Sequence, residues 1–189
     1  MATSFRCLLL LLLSLLQVVH PTMIVATAAA AMANPQKNSD LVAAVCRNVP
    51  NHAFCIEALE SDTRTATADL PGLAFIAIDL LRWNVSSIRN YIMFLQIIEK
   101  CPEKQQYLSI CIVYYIDIQG LFGSCYEYLK KKQYDKMNAA ANAVISNAFD
   151  CEATFLRDGC YSSPLTIRNN FAANLGDIIV SVANLLGNP

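Results

Sequence analysis

The feature that most constrains the fold is a pair of apolar stripes in residues 107–155. Along each stripe, apolar side chains recur at alternating steps of three and four residues, which places them on one face of a helix. Each stripe continues over three heptads, as at the seam of a helix bundle. The first comprises Leu108, Cys111, Tyr115, Ile118, Phe122, Cys125 and Leu129, and the second comprises Tyr134, Met137, Ala141, Val144, Ala148, Cys151 and Phe155.

The segment between the stripes, Lys130-Lys131-Lys132-Gln133, is polar and only long enough for a tight turn. The two predicted helices are therefore antiparallel neighbours. In such a hairpin, the numbers of facing residues have a nearly constant sum, and both Cys111 with Cys151 and Cys101 with Cys160 obey this rule. Each pair is thus expected at one level of the hairpin, as two disulfides would require.

The N-terminus has the pattern of a secretory signal peptide: Arg6, then an apolar run over 8–19, then a stretch of small residues over 26–33. The run is shorter than the roughly 20 residues of a membrane span. An uncleaved anchor is the alternative. We place cleavage after Ala33, with a site nearer Ala28 as the other choice.

Removal of residues 1–33 leaves one predicted domain, 34–189, with 13 basic and 15 acidic residues. This charge excludes nucleic acid and anionic membranes as expected partners, since both favour basic patches. After the signal we find no apolar run long enough to span a membrane. The predicted location is extracellular, with the vacuole as an alternative.

The first two cysteines of the mature chain, Cys46 and Cys55, bracket a break at Pro50. They indicate a small helical hairpin over 41–60 closed by a local disulfide, after a disordered start over 34–40. Cys46, His52 and Cys55 could instead hold a metal ion, but the sequence supplies no fourth ligand.

A second region, 69–187, is predicted to form four helices. Asp69 can cap the first of these, and Ser163 can cap the last. The fold class is therefore all-α: an antiparallel up-down-up-down four-helix bundle, preceded by the N-terminal hairpin and stapled by disulfides. No sheet is predicted. The stripe of the first helix is Leu73, Ala77, Leu80, Ser87, Tyr91, Phe94 and Ile98, and that of the last is Phe171, Leu175, Ile178, Val182 and Leu185.

The first of these helices contains Asn84-Val85-Ser86, an N-glycosylation sequon that is meaningful in a secreted chain. Asn84 is therefore a predicted glycosylation site.

The mature chain offers little for catalysis. His52 is its one histidine, and it lies in the disulfide loop. Pairs of carboxylates, Glu57 with Glu60 and Asp150 with Glu152, lie in ordinary amphipathic helices. We predict no enzyme activity and no catalytic, cofactor-binding or metal-binding residues. Cys125, at a seam position, is expected to be a buried free thiol.

The mature region resembles the plant invertase and pectin methylesterase inhibitor family. The residues that carry the resemblance run through most of the chain. They are Cys46 with Cys55, the helix start at 68–74, Cys111-x3-Tyr115-x-Asp117, Tyr134-Asp135, the alanine-rich run 138–148, Cys151-Glu152-x-x-Phe155, and 163–166.

The resemblance implies a helical protein that inhibits a carbohydrate-active enzyme, with bridges Cys46–Cys55 and Cys111–Cys151. Cys101, Cys125 and Cys160 lie outside the family's four-cysteine pattern. A third bridge, Cys101–Cys160, with Cys125 free, is our hypothesis for them.

Invertase inhibitors of this family carry a Pro-Lys-Phe triplet in the turn between the central helices. This chain reads Gln133-Tyr134-Asp135 there, and the Tyr-Asp version is common in pectin methylesterase inhibitors. The resemblance therefore favours pectin methylesterase as the partner, blocked at its substrate cleft in a one-to-one complex, with cell-wall or vacuolar invertase as the alternative.

The expected interface uses exposed positions of residues 112–150. It includes Tyr126, Tyr128, Lys132 and Asn142, because tyrosines are frequent anchors of interfaces. A different class of function, a secreted helical signal or carrier of an apolar ligand, stays open.

Overall fold

The computed structural model describes residues 35–157 and 161–188, with side chains from residue 38 onward. The predicted signal peptide and Cys160 lie outside the described residues. Six α-helices and one 3₁₀ turn are found in the described part, and no strand. They are α1 Pro35–Cys46, α2 His52–Glu60, the 3₁₀ turn Thr63–Thr67, α3 Leu70–Ile98, α4 Pro102–Lys130, α5 Tyr134–Leu156 and α6 Thr166–Gly187.

Helices α3 to α6 form the four-helix bundle. α4 and α6 each pack against both α3 and α5, so the four helices close around one core. α3 begins as predicted, with Asp69 accepting a hydrogen bond from the Gly72 N–H at 2.8 Å and Pro71 in the first turn. The predicted all-α fold and its disulfide staples are confirmed.

The central hairpin follows the sequence pattern closely. On the α4 stripe, every predicted residue is buried except Phe122, which is half-buried. On the α5 stripe, every predicted residue is buried except Tyr134, which is half-buried at the start of the helix. The seam prediction for these two helices is confirmed.

The predicted stripe of α3 is wrong beyond Leu80. Val85, Ile88 and Ile92 are buried there, whereas Ser87 and Phe94 are exposed. Apolar residues lie on almost every side of this segment, so the periodicity fits more than one register. Packing against α4 and α6 selects the Val85 face.

Residues 35–40 are helical and not disordered as predicted. α1 begins at Pro35 rather than near residue 41, and the Asn38 side-chain amide donates to the Thr65 and Ala68 carbonyls at 2.8 and 2.9 Å. These bonds fix a polar segment that has no apolar pattern of its own.

The N-terminal hairpin of α1 and α2 packs on the outside of α6. The Ser181 hydroxyl donates to the Val45 carbonyl at 2.6 Å, and the rings of Phe54 and Phe171 meet edge to face at 4.8 Å. α6 itself begins at Thr166, two residues later than predicted. Ser163 caps the turn before it by accepting the Leu165 N–H at 3.1 Å.

Only α4, among the helices of 35–157 and 161–188, is long and apolar enough by length and composition to cross a membrane. The sequence analysis considered uninterrupted apolar runs, and α4 contains none of membrane-spanning length, because scattered polar residues interrupt its apolar ones. In the structure, α4 is a bundle helix whose seam face is buried between its neighbours.

Candidate functional site: the α4–α5 hairpin

Two disulfides lie within the described residues. Cys46–Cys55 closes the N-terminal hairpin with its Cα atoms 5.5 Å apart, and Cys111–Cys151 joins α4 to α5 with its Cα atoms 4.8 Å apart. Both lie within the reach of a disulfide. These are the two bridges that the resemblance implied. Because Cys46 and Cys55 are bridged, they are not available as thiolate ligands beside His52.

A chain of hydrogen bonds next to the central bridge runs from the buried Tyr115 to the exposed Thr166. The Tyr115 hydroxyl donates to Asn169 Oδ1 at 2.8 Å, and Asn169 Nδ2 donates to Glu152 Oε2 at 2.7 Å. Thr166 Oγ1 donates to the other oxygen of Glu152 at 2.5 Å. Burial is the main cause that raises the pKa of Tyr115 above its ordinary value, with the charge of Glu152 acting in the same direction.

This network gives a structural role to Tyr115 and Glu152, which belong to two of the motifs that carry the family resemblance. Tyr115 stands four residues after Cys111, and Glu152 stands next to Cys151, so the bridge brings both to one level. Sequence analysis assigned Glu152 to a possible carboxylate pair and missed Asn169 entirely. The available signals were the polar Asn169 at a buried helix position and the hydroxyl of a tyrosine placed on an apolar seam.

The two remaining described cysteines, Cys101 and Cys125, form no bridge to another described cysteine. Cys125 is fully buried, and burial raises its pKa to about 12, so it is a poor nucleophile. Cys101 is half-buried, with its Sγ 3.0 Å from a Glu103 oxygen and 3.5 Å from the Tyr161 hydroxyl. Since Cys160 lies outside the described residues, the Cys101–Cys160 bridge stays a prediction.

The residues predicted for the interface lie on three grooves of the bundle. The Tyr126 ring meets the Phe75 ring of α3 edge to face at 4.6 Å, whereas Tyr128 lies towards α5, under Lys136. Lys132 is exposed in the turn. Asn142 lies towards α6, since its amide donates to Asn138, which bonds Asn184 of that helix.

Tyr126, Tyr128 and Lys132 thus surround the turn end of α4, and Asn142 lies apart from them. Lys132 has a positive φ of 54°, which closes the turn between α4 and α5. The contacts of these four side chains within the bundle do not indicate a partner, and their role at an interface stays a prediction.

Large exposed apolar side chains are concentrated in the other half of the bundle. Eight of those in the described residues lie between residues 93 and 116 or between residues 149 and 156; Trp83 and Ile167 lie outside those spans. The set comprises Trp83, Met93, Phe94, Ile97, Ile98, Val113, Ile116, Phe149, Leu156 and Ile167.

Asn84, the predicted glycosylation site, is half-buried in the middle of α3, and its amide donates to the Leu80 carbonyl at 2.9 Å. His52, Glu57, Glu60 and Asp150 are exposed on the surface. In the part of the chain that is described, no three His, Cys, Asp or Glu side chains are grouped as metal ligands.

Residues 40–182 match the family model of the plant invertase/pectin methylesterase inhibitors. The chain belongs to this family. Its members are inhibitors of enzymes and not enzymes themselves, and their targets are pectin methylesterases or invertases.

Relatives with either target are similar to this chain. A provisionally named invertase inhibitor of Platanus acerifolia is 28% identical over 156 residues, covering 79% of this chain and 87% of the relative. A pectinesterase inhibitor of Actinidia deliciosa is 27% identical over 146 residues, covering 77% of this chain and 79% of the relative.

A solved structure, a mutant form of a pectin methylesterase inhibitor from Arabidopsis, shares the fold with a TM-score of 0.69. It is 19% identical, and the match covers 76% of this chain and 95% of that one. At this identity the likeness shows the fold alone, and the family's two kinds of target remain.

Proposed function

We propose that the protein is a secreted inhibitor of pectin methylesterase that blocks the substrate cleft of the enzyme in a one-to-one complex. The observation that carries this proposal is the turn between α4 and α5. It reads Gln133-Tyr134-Asp135, with neither the proline nor the phenylalanine of the invertase-inhibitor triplet. The name of the Actinidia relative supports the same target.

The mechanism is steric. A disulfide-stapled bundle loses little conformational entropy on docking, so more of the contact free energy appears as affinity. The outer surface of residues 112–150 is the surface we assign to the enzyme, with Tyr126, Tyr128, Lys132 and Asn142 as contacts. The tyrosines are half-buried and already held by neighbouring side chains, which lowers the cost of ordering them.

The decisive experiment is a titration of the purified, oxidised protein against a plant pectin methylesterase and, separately, against a cell-wall and a vacuolar invertase. Stoichiometric inhibition of the esterase supports the proposal. Inhibition of an invertase alone would establish the alternative target, which the name of the Platanus relative favours. Inhibition of neither enzyme contradicts both assignments.

The interface is tested by Tyr128→Ala. Loss of an anchoring tyrosine is expected to weaken inhibition at least tenfold. The matched control is Tyr91→Ala on α3, whose half-buried ring lies outside the assigned surface and is covered by the Arg168 guanidinium at 3.5 Å. Equal weakening by both substitutions would reject this surface.

The relatives' names include a cell wall or vacuolar inhibitor from Arabidopsis thaliana, which supports an extracellular or vacuolar location. Our proposal is the apoplast, after cleavage behind Ala33. N-terminal sequencing of the secreted protein tests the cleavage. Non-reducing peptide mapping tests the Cys101–Cys160 bridge, and a disulfide to Cys125 would contradict it.

A further inference from the structure

Positive charge is concentrated at one end of the bundle. Four lysines, which we call the lysine end, lie at the turn between α4 and α5, whereas two carboxylates, Glu127 and Asp135, lie among them. At the opposite end, residues 99–104 carry two lysines and two glutamates, and the whole chain has a formal net charge of −1. The lysine end is Lys130, Lys131, Lys132 and Lys136.

The carboxylates present do not neutralise the lysine end. Glu127 is shared between Lys130 and Lys131, each at 3.7 Å, and these lysine side chains are 51% and 62% exposed. Such exposed ion pairs contribute little and exchange readily. Lys132 and Lys136 have no carboxylate within 4 Å in the part of the chain described. The ammonium groups are therefore available to an external anion.

Aromatic rings alternate with these ammonium groups. Lys130 Nζ lies 4.5 Å from the centre of the Tyr126 ring, and Lys136 Nζ lies 5.9 Å from that of Tyr128. A shallow depression beside them is lined by Lys132, Gln133, Tyr134, Asp135, Lys136 and Gly187. Half-buried tyrosines offer flat surfaces for sugar rings, while the lysines can pair with carboxylates.

The surroundings argue against other polyanions. Stable binding to a membrane surface is favoured by exposed large apolar residues beside the lysines, but none of those in the described chain lies between residues 117 and 148. Nucleic acid binding usually requires a basic domain with many phosphate contacts, and this chain is slightly acidic overall.

We propose that the lysine end binds an anionic, uronic-acid polysaccharide, with polygalacturonate as the probe. Carboxylates along the polymer pair with the lysines, and sugar rings pack against the tyrosines. This site shares Tyr126, Tyr128 and Lys132 with the surface assigned to the enzyme, so the polysaccharide and the enzyme would compete for it. The site does not depend on which enzyme the protein inhibits, and its test contains no enzyme.

The experiment measures binding of the full mature protein to polygalacturonate by co-sedimentation, at low and at physiological ionic strength. Fully methyl-esterified polygalacturonate removes the carboxylate charge from the same polymer. Vesicles rich in phosphatidylserine test a generic attraction to anions. Lys131→Gln with Lys136→Gln removes two charges from the lysine end, and Lys100→Gln with Lys104→Gln removes two from the opposite end.

We expect binding to polygalacturonate that weakens as salt rises and is lost on the esterified polymer. The Lys131/Lys136 variant should bind about tenfold more weakly, and the Lys100/Lys104 variant should bind like the wild type. Glu127→Gln should strengthen binding. Absence of binding, equal loss in both double variants, or equal binding to the esterified polymer or to the vesicles would overturn the proposal.

Discussion

At one end of the α4–α5 hairpin, three helices are joined by a disulfide and by a chain of hydrogen bonds. Cys111 is bridged to Cys151, and Tyr115, Asn169 and Glu152 connect α4, α6 and α5. At the turn end, the interior is apolar and the polar groups are exposed lysines in weak ion pairs. Specific interior contacts thus fix the fold at one end, which leaves the surface of the other end free to be used for recognition.

The largest expected effect separates the central bridge from the N-terminal one. Cys111→Ala with Cys151→Ala should lower the free energy of unfolding by about 4 kcal/mol, since this bridge closes a loop of 40 residues. Cys46→Ala with Cys55→Ala, across nine residues, should cost about 3 kcal/mol. Urea denaturation measures both. A larger loss from the N-terminal pair would contradict the ranking.

Alanine substitutions at two glycines compare how the interior and the outer surface tolerate an added side chain. A Cβ on Gly176 would lie 2.6 Å from Ile145 Cγ1 and 3.3 Å from the Ala141 carbonyl, whereas a Cβ on Gly123 of α4 would meet nothing within 4 Å. Gly176→Ala should therefore destabilise the protein by about 1–3 kcal/mol. Gly123→Ala should stabilise it by up to about 1 kcal/mol. Thermal unfolding of the two variants should shift in opposite directions.

Loss of one hydroxyl tests the hydrogen-bond network. Tyr115→Phe leaves Asn169 Oδ1 without its donor, which should cost about 1–3 kcal/mol. Tyr128→Phe, at the turn end, should change stability by less than about 0.5 kcal/mol. Chemical denaturation of both variants gives the comparison. Similar small effects would show that the network does not distinguish the two ends.

The smallest expected effect on stability comes from Asp177 of α6, and it depends on pH. Burial raises the pKa of this carboxyl above its ordinary value of 3.8. The folded state therefore holds the proton more tightly than the unfolded state, and the stability gained in this way is present at acid pH and lost as pH rises through the folded pKa. Asp177→Asn should stabilise the protein at neutral pH and lose that advantage below about pH 4. Unfolding curves over this range check the sign.

Sequence predicted the parts of the fold where an apolar stripe continues over several heptads. The α4 and α5 stripes each continue over three heptads, although α4 also carries exposed apolar residues such as Val113 and Ile116. The numbering of Cys111 and Cys151 then specifies the contact between the two helices. In α3 the apolar residues around Val85 and Tyr91 fit two registers, which only the neighbouring helices resolve. The bond from Tyr115 to Asn169 spans 54 residues and two helices, so local pattern contained no information about it.

The candidate surface was predictable only in part. Tyr126, Tyr128 and Lys132 were expected on one surface, and they do surround the turn end, but their sides of α4 depend on helix packing. The excess of lysine over carboxylate at this end was visible in the sequence. The total charge of the chain does not show how the charges are distributed along the bundle axis. The fold was needed to show that the exposed large apolar residues lie away from these lysines.

The unpaired Cys125 can be used to measure local opening of the helix bundle. Its sulfur is sealed in the core, 3.8 Å from the Met137 carbonyl on the facing helix. An alkylating reagent can reach it only when these two helices separate. The rate at which this sulfur is alkylated therefore measures how often the hairpin opens near its turn, and no engineered label is needed.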